Sequence, residues 1–483
     1  MIFRPIEPRT ARRRIVFVTD AGPELLETTT EHGAVTRRTS RLSVELLLHA
    51  CDDAAIYTLV KPKQLASCLG YDNWTIIKYH NRVVRLIFRN AISIYPFSTF
   101  GPDWQALMPF FDALRELGVQ PSSMSTMVAN TWLRLLPEPV WLCDWGNSDM
   151  GRRALHGGRK EARIAPASFS GVEYLDMRAA YLHAMREPIP THLRQHEPID
   201  GHEGIIAGSV RVPELPWGPL PFLLHAGKRR TSFYQYGHGR GTGIWPVSEL
   251  ELAISQGAEV PEVRGSWVGY RPKPIFGAWL PWALALRTLS GPAGLAAKML
   301  TTRLWSLFAV NPASKRQVVT FTDRKGLDRH VIESTGHGSR FASVPFVAAI
   351  IASRVRQRLY RELLTHPSSV YCDTDGGIVT PGLSLSGWSA RDMVSVEIKA
   401  AQAYRWECAE CGEIGGHPRW HYSVAGFPSD SPLVEGLFRY AKPGQLWDLG
   451  PSSLTLPAGP LDAREEIMRN VTVLPAPLEE ESL

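Results

Sequence analysis

Two aspartates, Asp373 and Asp375, lie two positions apart in a stretch with apolar and β-branched residues on both sides. Gly376 and Gly377 follow at once, which is typical of a tight β-hairpin turn. Alternate side chains of an extended strand point to one face, so both carboxylates can bind one cation. Two like charges so close are costly without a positive partner, and magnesium prefers oxygen ligands. An isolated Asp-x-Asp is more often a solvated turn, so the interpretation depends on the rest of the chain.

A third aspartate, Asp176, ends an apolar run that predicts a strand over 172–176, and a helical stretch follows it from about Ala179. A carboxylate at such a junction can bind a metal while the first-turn amides stay free for an anion. This arrangement is one half of a phosphate-handling site. Tyr181 lies in the predicted helix.

A helix predicted over 295–308 carries Lys298 and, two turns later, Trp305. Lysine and tryptophan on one helix can bind a triphosphate and stack on a base. A basic amphipathic surface without a ligand is the alternative. Arg287, in a helical run just before, is a second candidate cation for the triphosphate.

A glycine pair, Gly157 and Gly158, lies among basic residues, with His156 before it and Arg159 after it. Glycines let a backbone approach another surface closely, which suits a passing nucleic-acid backbone. A flexible linker between domains is the alternative, and these residues alone favour it.

Zinc-ligand residue types follow the aspartate hairpin: Cys408 and Cys411, then His417 and His421. Cys-x-x-Cys and His-x-x-x-His are ligand patterns, and they would supply four ligands for zinc. The five intervening residues are far fewer than in a zinc finger, so a plain hairpin is the alternative.

Length and composition set the class of protein. The 483 residues are 44% hydrophobic, enough for two or three domains with sizeable cores, and the net charge of +6 fits a polyanionic partner. Six scattered cysteines indicate a reducing compartment rather than a disulfide framework. No apolar run reaches transmembrane length and the first residues lack a signal-peptide stretch, so we expect a cytoplasmic protein without a membrane partner.

The order of the motifs resembles that of the family B DNA polymerases, and the details are most similar to the protein-primed branch. Asp176 with Tyr181 resembles the first palm motif, residues 298–312 the fingers motif, and residues 371–375 the second palm motif. The loop at 156–159 is similar to the one that joins the exonuclease and polymerase halves in that branch. The resemblance covers about 150 to 430.

The resemblance implies an α+β fold with a right-hand polymerase of palm, fingers and small thumb. A degenerate exonuclease-like α/β domain would occupy 1–150, and palm and fingers would occupy 151–430, with insertions at about 190–245 and 313–340. A thumb-like segment and an acidic tail would occupy 431–483. Asp20 ends the first strand, but the Asp-x-Glu expected of an exonuclease after that strand is absent.

The activity implied is template-directed DNA synthesis by a two-metal mechanism, without proofreading. Its cofactor would be Mg²⁺ or Mn²⁺, and its partners DNA template and primer, deoxynucleotides and a priming protein. A template-independent or primer-making nucleotidyltransferase and a non-catalytic DNA-binding relic stay open as alternatives. The implied sites are Asp176, Asp373 and Asp375 for catalysis and metal, Tyr181, Arg287, Lys298 and Trp305 for the nucleotide, and His156, Gly157, Gly158, Arg159, Lys399 and Tyr404 for DNA.

Two departures from the family pattern affect these sites. Gly376 stands where a serine is usual. Gln402 stands where the family has the lysine of a Lys-x-Tyr motif that ends at Tyr404 here, and we expect Lys399 to take the place of that lysine.

Overall fold

A computed structural model gives the fold of the chain. The structure describes residues 2–7, 14–18, 24–31, 34–41, 54–58, 75–79, 83–87, 91–96, 100, 103–144, 148–163, 167–226, 231–309, 316–322, 328–334, 341, 344–400, 403–408, 420–424, 432–440, 446–448 and 453–455. Asp20, Gln402, Cys411, His417 and the acidic tail lie outside these residues.

The described strands are, in chain order, β1 (Ile2–Phe3), β2 (Arg14–Val18), β3 (Glu24–Glu31), β4 (Ala34–Arg41), β5 (Ala54–Thr58), β6 (Thr75–Tyr79), β7 (Val83–Ile87), β8 (Ala91–Pro96), β9 (Val140–Trp141), β10 (Cys143–Asp144), β11 (Arg159–Ala162), β12 (Ala167–Met177), β13 (Ile189–Gln195), β14 (Gly204–Val212), β15 (Pro221–Ala226), β16 (Thr231–Tyr236), β17 (Gly239–Pro246), β18 (Glu259–Lys273), β19 (Arg316–Thr322), β20 (Asp328–Ser334), β21 (Ser369–Thr374), β22 (Gly376–Val379), β23 (Trp388–Ala400), β24 (Ala403–Cys408), β25 (Trp420–Val424), β26 (Leu446–Asp448) and β27 (Ser453–Thr455).

The described α-helices are α1 (Met108–Glu116), α2 (Met124–Leu135), α3 (Ser148–Arg153), α4 (Ala180–Ala184), α5 (Val247–Ser255), α6 (Trp279–Leu286), α7 (Gly291–Phe308), α8 (Phe346–Leu359) and α9 (Pro432–Tyr440). A short 3₁₀ helix, Gln105–Leu107, precedes α1, and a π-helical turn, Tyr360–Leu364, continues α8. Among the described residues, no helix is both long enough and apolar enough to cross a membrane.

The chain divides into two compact units. The first comprises Met1–Cys143, Met185–Thr191 and Lys273–Pro345, and the second Asp144–Ala184, His192–Pro272 and Phe346–Leu483.

The first unit contains a seven-stranded sheet in the order β4-β3-β2-β5-β8-β7-β6, in which β2 and β5, and β5 and β8, run parallel. Apolar, β-branched runs in the sequence predict strands near 15, 55, 75 and 83, and the structure confirms them; a helix that the sequence pattern predicts over 42–50 lies outside the described residues. Similar runs at 318–322 and 329–332 predict a hairpin, and strands β19 and β20 form it.

The core of the first unit is aromatic. The ring of Trp132 on α2 lies 5.2 Å from that of Phe3 and 5.8 Å from that of Phe308 at the end of α7. Its indole nitrogen donates a hydrogen bond of 2.9 Å to the carbonyl of Ile275, so the buried polar group is satisfied. Helix α7 buries Ala293, Ala297, Leu300 and Leu304 at helical spacing, which leaves the opposite stripe to solvent.

The second unit is built on an antiparallel sheet in the order β11-β21-β22-β12-β23-β24-β25. Helix α8 packs against α3, α4 and α5 and is buried over most of its length. The Pro-, Gly- and His-rich stretch at about 190–245 is predicted to be either irregular or β-rich, and it contains strands, with β14 paired to β17 on one side and to β18 on the other. This strand order places β21, which carries Asp373, and β12, which carries Asp176, on either side of β22.

Candidate active site

The hairpin predicted at the Asp-x-Asp motif is formed by β21 and β22, with Asp373 directly opposite Gly376. Thr374, at the turn, has a φ of 63°, a left-handed conformation that costs a non-glycine residue about 1–3 kcal/mol. Backbone bonds fix the turn: the amide of Asp375 donates to the carbonyl of Asp373, and the carbonyl of Asp375 accepts from the amide of Met177, both at 2.8 Å. The second aspartate is therefore tied to the strand that carries the first palm motif.

Asp176 and Asp373 lie at the same level of the sheet, because both are the cross-strand partners of Gly376 on β22. Directly opposed side chains in an antiparallel sheet project from the same face, so both carboxylates do so. Two strand spacings separate their Cα atoms by about 10 Å, which leaves room for cations between the carboxylates. We call this side of the sheet the aspartate face, defined by Asp176 and Asp373.

Tyr174 lies close enough to Asp176, Asp373 and Asp375 for all three carboxylates to affect its pKa. Burial raises the pKa of this tyrosine, and Tyr404 and the carboxylates of Asp373, Asp176 and Asp375 raise it further. One phenol therefore lies in the field of all three acids, although nearly two hundred positions separate Asp176 from the other two.

Gly376 is required by close packing beneath this site. A Cβ atom there would lie 2.6 Å from the hydroxyl oxygen of Tyr174 and 2.7 Å from the carbonyl oxygen of Leu175. The serine that is usual at this position would collide with both, so the departure from the family pattern follows from the place of Tyr174.

Lys160 is a candidate site residue that no motif in the sequence singled out. It lies opposite Asp373 in the register of β11 and β21, and its Nζ is 2.7 Å from Oδ1 of that carboxylate. The hydroxyl of Thr374 also donates to Oδ1, at 3.1 Å. The carboxylate of Asp373 is thus bound by two side chains of the protein, those of Lys160 and Thr374. The backbone of Asp375, two positions later, is fixed by hydrogen bonds. Strict alternation after Gly158 was the signal that could have placed Lys160 on this face.

The loop of Gly157 and Gly158, called the glycine loop below, lies against the turn at Thr374. A Cβ atom on Gly158 would come within 2.6 Å of Thr374, so only glycine fits there. Arg356 on α8 donates to the carbonyls of His156, at 2.7 Å, and Gly157, at 3.2 Å, and it forms a two-point ion pair with Glu249 at 2.7 Å for each bond. The buried guanidinium fixes the loop that shapes the turn.

His156 and Arg159 were expected to contact DNA. Their side chains are buried instead, since the two residues are only 3% and 1% exposed, so this expectation is wrong. Arg159 donates to Glu161 and lies over the ring of Tyr236, 4.0 Å from its centroid. Burial lowers the pKa of His156 well below its usual value, and the charge of Arg356 lowers it further. Gly157 and Gly158 are exposed and remain candidates for a backbone contact.

Tyr181 lies on α4, directly after the strand of Asp176. Burial raises its pKa, the carboxylate of Asp375 raises it further, and Arg356 lowers it. The end of α4 is held by Arg354, whose guanidinium donates to the carbonyl of Ala184 at 3.2 Å. The structure therefore brings Tyr181 close enough to Asp375 for that carboxylate to affect its pKa.

Three of the expected nucleotide ligands lie in the first unit. Lys298 is exposed on α7, and Trp305 follows two turns later on the same stripe, away from the buried face. Arg287 directly follows α6 and is half-buried.

Tyr404 lies on the aspartate face, where its ring centroid is 4.8 Å from that of Tyr371. Burial raises the pKa of Tyr404 to about 12, with Asp373 adding to the shift. Lys399 was expected to lie beside Tyr404, and this expectation is wrong. Ile398 is the partner of Tyr404, so Lys399 projects from the opposite face, where its Nζ is 2.9 Å from Glu397.

The zinc hypothesis depends on residues outside the described part of the chain, namely Cys411 and His417. His421 lies on β25 and stacks on Trp406, with ring centroids 5.2 Å apart at 24°. Among the described residues, no three side chains of His, Cys, Asp or Glu are grouped so that they could hold a metal ion. This holds for the described part of the zinc segment and for the three aspartates alike.

Comparison with known structures identifies the fold. The structure resembles Phi29 DNA polymerase in complex with primer-template DNA and incoming nucleotide (TM-score 0.60, 13% identity) and its post-translocation binary complex with primer-template DNA (0.58, 14%). Its complex with single-stranded DNA gives 0.57 at 13% identity. Each match covers 93% of this chain and 98% of the other.

The chain has a family B polymerase-like fold. No family model and no curated protein matches the sequence. The resemblance stated from the motifs is therefore confirmed at the level of the fold.

Proposed function

We propose that the chain is a template-directed DNA polymerase that adds deoxynucleotides to a 3′-hydroxyl. Asp176 and Asp375 are the principal ligands of two divalent metal ions, and Asp373 supports them. The observation that carries the proposal is the shared register of Asp176 and Asp373 across Gly376, with Asp375 bonded to both strands. The fold of Phi29 DNA polymerase, whose structures hold primer-template DNA, supports the same function.

The residue types of this donor set suit Mg²⁺ or Mn²⁺, although the three carboxylates do not form a preformed metal group in this structure. The three carboxylates carry three negative charges, and Lys160 and Arg391 carry two positive charges, so one negative charge remains, and oxygen ligands suit hard divalent ions. When bound, two such ions stabilise the attacking and leaving oxygens of an in-line displacement at the α-phosphate.

The chain's own residues position the reactants in this proposal. Lys160 holds the carboxylate of Asp373, and Arg356 holds the glycine loop against Thr374. Tyr181 stays protonated because its pKa is raised, and its neutral ring packs beneath the sugar, where it excludes a 2′-hydroxyl.

In the first unit, Lys298 and Arg287 bind the triphosphate and Trp305 covers the new base pair. This part of the proposal rests on the resemblance of the fingers motif and on the exposed stripe of α7. Gly157 and Gly158 offer their backbone to DNA, and a priming protein is a further partner that the protein-primed resemblance implies.

Primer extension tests the proposal. In Asp375→Asn, extension of a primed template with magnesium should fall at least about a hundredfold, as for loss of a major electrostatic contributor. The gel-shift midpoint should move little, because phosphate contacts spread over many basic residues dominate affinity. Asp392→Asn is the matched control, since Asp392 is exposed on the neighbouring β23 and projects from the opposite face.

Each other outcome has a meaning. Extension by Asp375→Asn near the rate of the unmodified protein contradicts the proposal. Extension without template identifies a template-independent transferase, and DNA binding without any extension identifies a non-catalytic relic. Metal analysis of the purified protein tests the zinc hypothesis at Cys408, Cys411, His417 and His421. About one equivalent of zinc would support the hypothesis, and the absence of bound zinc would reject it.

A further inference from the structure

A guanidinium is held on the aspartate face by two aromatic rings. Arg391 on β23 lies directly opposite Tyr174, and its side chain is exposed. Its Cζ atom is 5.3 Å from the ring centroid of Tyr174 and 5.1 Å from that of Trp406. Cation–π contacts with two rings favour orientations of the guanidinium near them, which lowers the entropy cost of binding a ligand there.

The charge of Arg391 is available for a ligand. Arg159, Arg356 and Arg405 each pair with a carboxylate at hydrogen-bonding distance. By contrast, no carboxylate in the described part of the chain makes an ion pair with Arg391. An exposed, oriented and uncompensated guanidinium is suited to bidentate recognition of a phosphate.

The distance between Arg391 and the aspartates indicates which phosphate of a bound DNA strand Arg391 could reach. Asp176 lies opposite Ser389, so Arg391 is its diagonal neighbour at about 7–8 Å on the adjacent strand. One strand of DNA rises about 3.4 Å per nucleotide, so this separation spans about two nucleotides.

We propose that Arg391 binds a backbone phosphate of the primer strand, about two nucleotides from the 3′-hydroxyl that reacts at the aspartates. This inference rests on the proposed function, because it takes the primer end to lie at Asp176 and Asp375. It adds a residue for which the sequence motifs gave no signal.

The test is binding of a fluorescently labelled primer-template measured by anisotropy in chelator, so that catalysis plays no part. Arg391→Gln should weaken binding about tenfold, as for loss of a hydrogen-bonded charge, and should reduce the slope of log affinity against log salt by about 0.9. Arg405→Gln is the matched control: that guanidinium also lies over a ring, 4.4 Å from Trp420, but on the opposite face and paired with Glu397. It should bind within about twofold of the unmodified protein.

Neutral methylphosphonates, placed singly at the four linkages nearest the primer 3′ end, locate the contact. One near the second linkage should weaken the unmodified protein about tenfold but Arg391→Gln less than about twofold, since the partner charge is already gone. Arg391→Lys keeps the positive charge but not the planar guanidinium. Its loss of affinity on methylphosphonate substitution should lie between those of the unmodified protein and of Arg391→Gln.

Three results would overturn the inference: unchanged binding by Arg391→Gln, equal methylphosphonate penalties in both proteins, or no sensitive linkage for the unmodified protein. The last needs no variant, so misfolding of Arg391→Gln cannot hide it. Magnesium-dependent extension by the unmodified protein is measured in parallel. Its absence contradicts the proposed function, whereas its presence with any of the three results contradicts only the role of Arg391.

Discussion

The buried ion pair of Arg356 and Glu249 should be one of the most sensitive points of the second unit. Both residues are almost fully buried, at 2% and 1% exposed, and two bonds of 2.7 Å join them. Arg356→Met leaves the buried carboxylate of Glu249 without its guanidinium partner and removes both bonds to the carbonyls of the glycine loop. Breaking a buried pair on one side costs about 3–5 kcal/mol, and we expect the free energy of unfolding to fall by that amount.

A double-mutant cycle separates the pair from its surroundings. Chemical denaturation is measured for Arg356→Met, Glu249→Met and the double variant. Because the double variant leaves no unpaired charge, its loss should be smaller than the sum of the single losses by about 2 kcal/mol or more. Primer extension should fall in both variants of Arg356, since the glycine loop then loses its two hydrogen bonds from the guanidinium.

Arg358→Met is the matched control on the same helix. Arg358 is 28% exposed and pairs with Glu362 one turn away, at 2.9 Å. An exposed helical pair of this kind contributes less than about 1 kcal/mol, so this variant should stay close to the unmodified protein. Additive losses in the cycle, or a loss in Arg356→Met no larger than in Arg358→Met, would refute the reasoning.

Three further predictions concern protonation, sugar choice and proofreading. The folded protein holds His156 neutral while the unfolded chain binds a proton below about pH 6.5, so stability should fall by up to about 1.4 kcal/mol per pH unit below that value. Denaturation across pH 5–8 checks this, and an equal slope in His156→Gln would contradict it. Tyr181→Ala should mainly raise the use of ribonucleotides, and equal use of both sugars by the unmodified protein would disprove the role of the ring. A 3′-labelled single strand should stay intact with magnesium, and degradation that survives in Asp176→Ala but vanishes in Asp20→Ala would show proofreading.

Local patterns in the sequence predicted the elements of the site. The alternation around Asp373 and the glycines after Asp375 predicted the hairpin, and the apolar run before Asp176 predicted its strand. These features depend on neighbours in the chain, so a sequence reports them well. The same holds for α7, whose buried residues follow helical spacing and leave Lys298 exposed.

Partners distant in the chain explain what the sequence could not predict. Basic residues around Gly157 and Gly158 favoured exposure, but Glu161 and Tyr236 enclose Arg159, and Glu249 pairs with Arg356 from 107 positions away. Lys399 was expected near Tyr404, yet the register of β23 and β24 decides the face, and it places Lys399 on the other side. Register depends on pairing between strands, which local composition does not determine.

The most direct measurement is the single-turnover rate of one templated nucleotide addition by Asp176→Asn, Asp375→Asn and the double variant. In the proposed mechanism these acids act on one metal site, and the effects of residues that act as a unit are strongly non-additive. Each single variant should lose at least about a hundredfold, and the double variant should lose little more than either. Losses that multiply, or a rate near that of the unmodified protein in either single variant, would contradict a shared site.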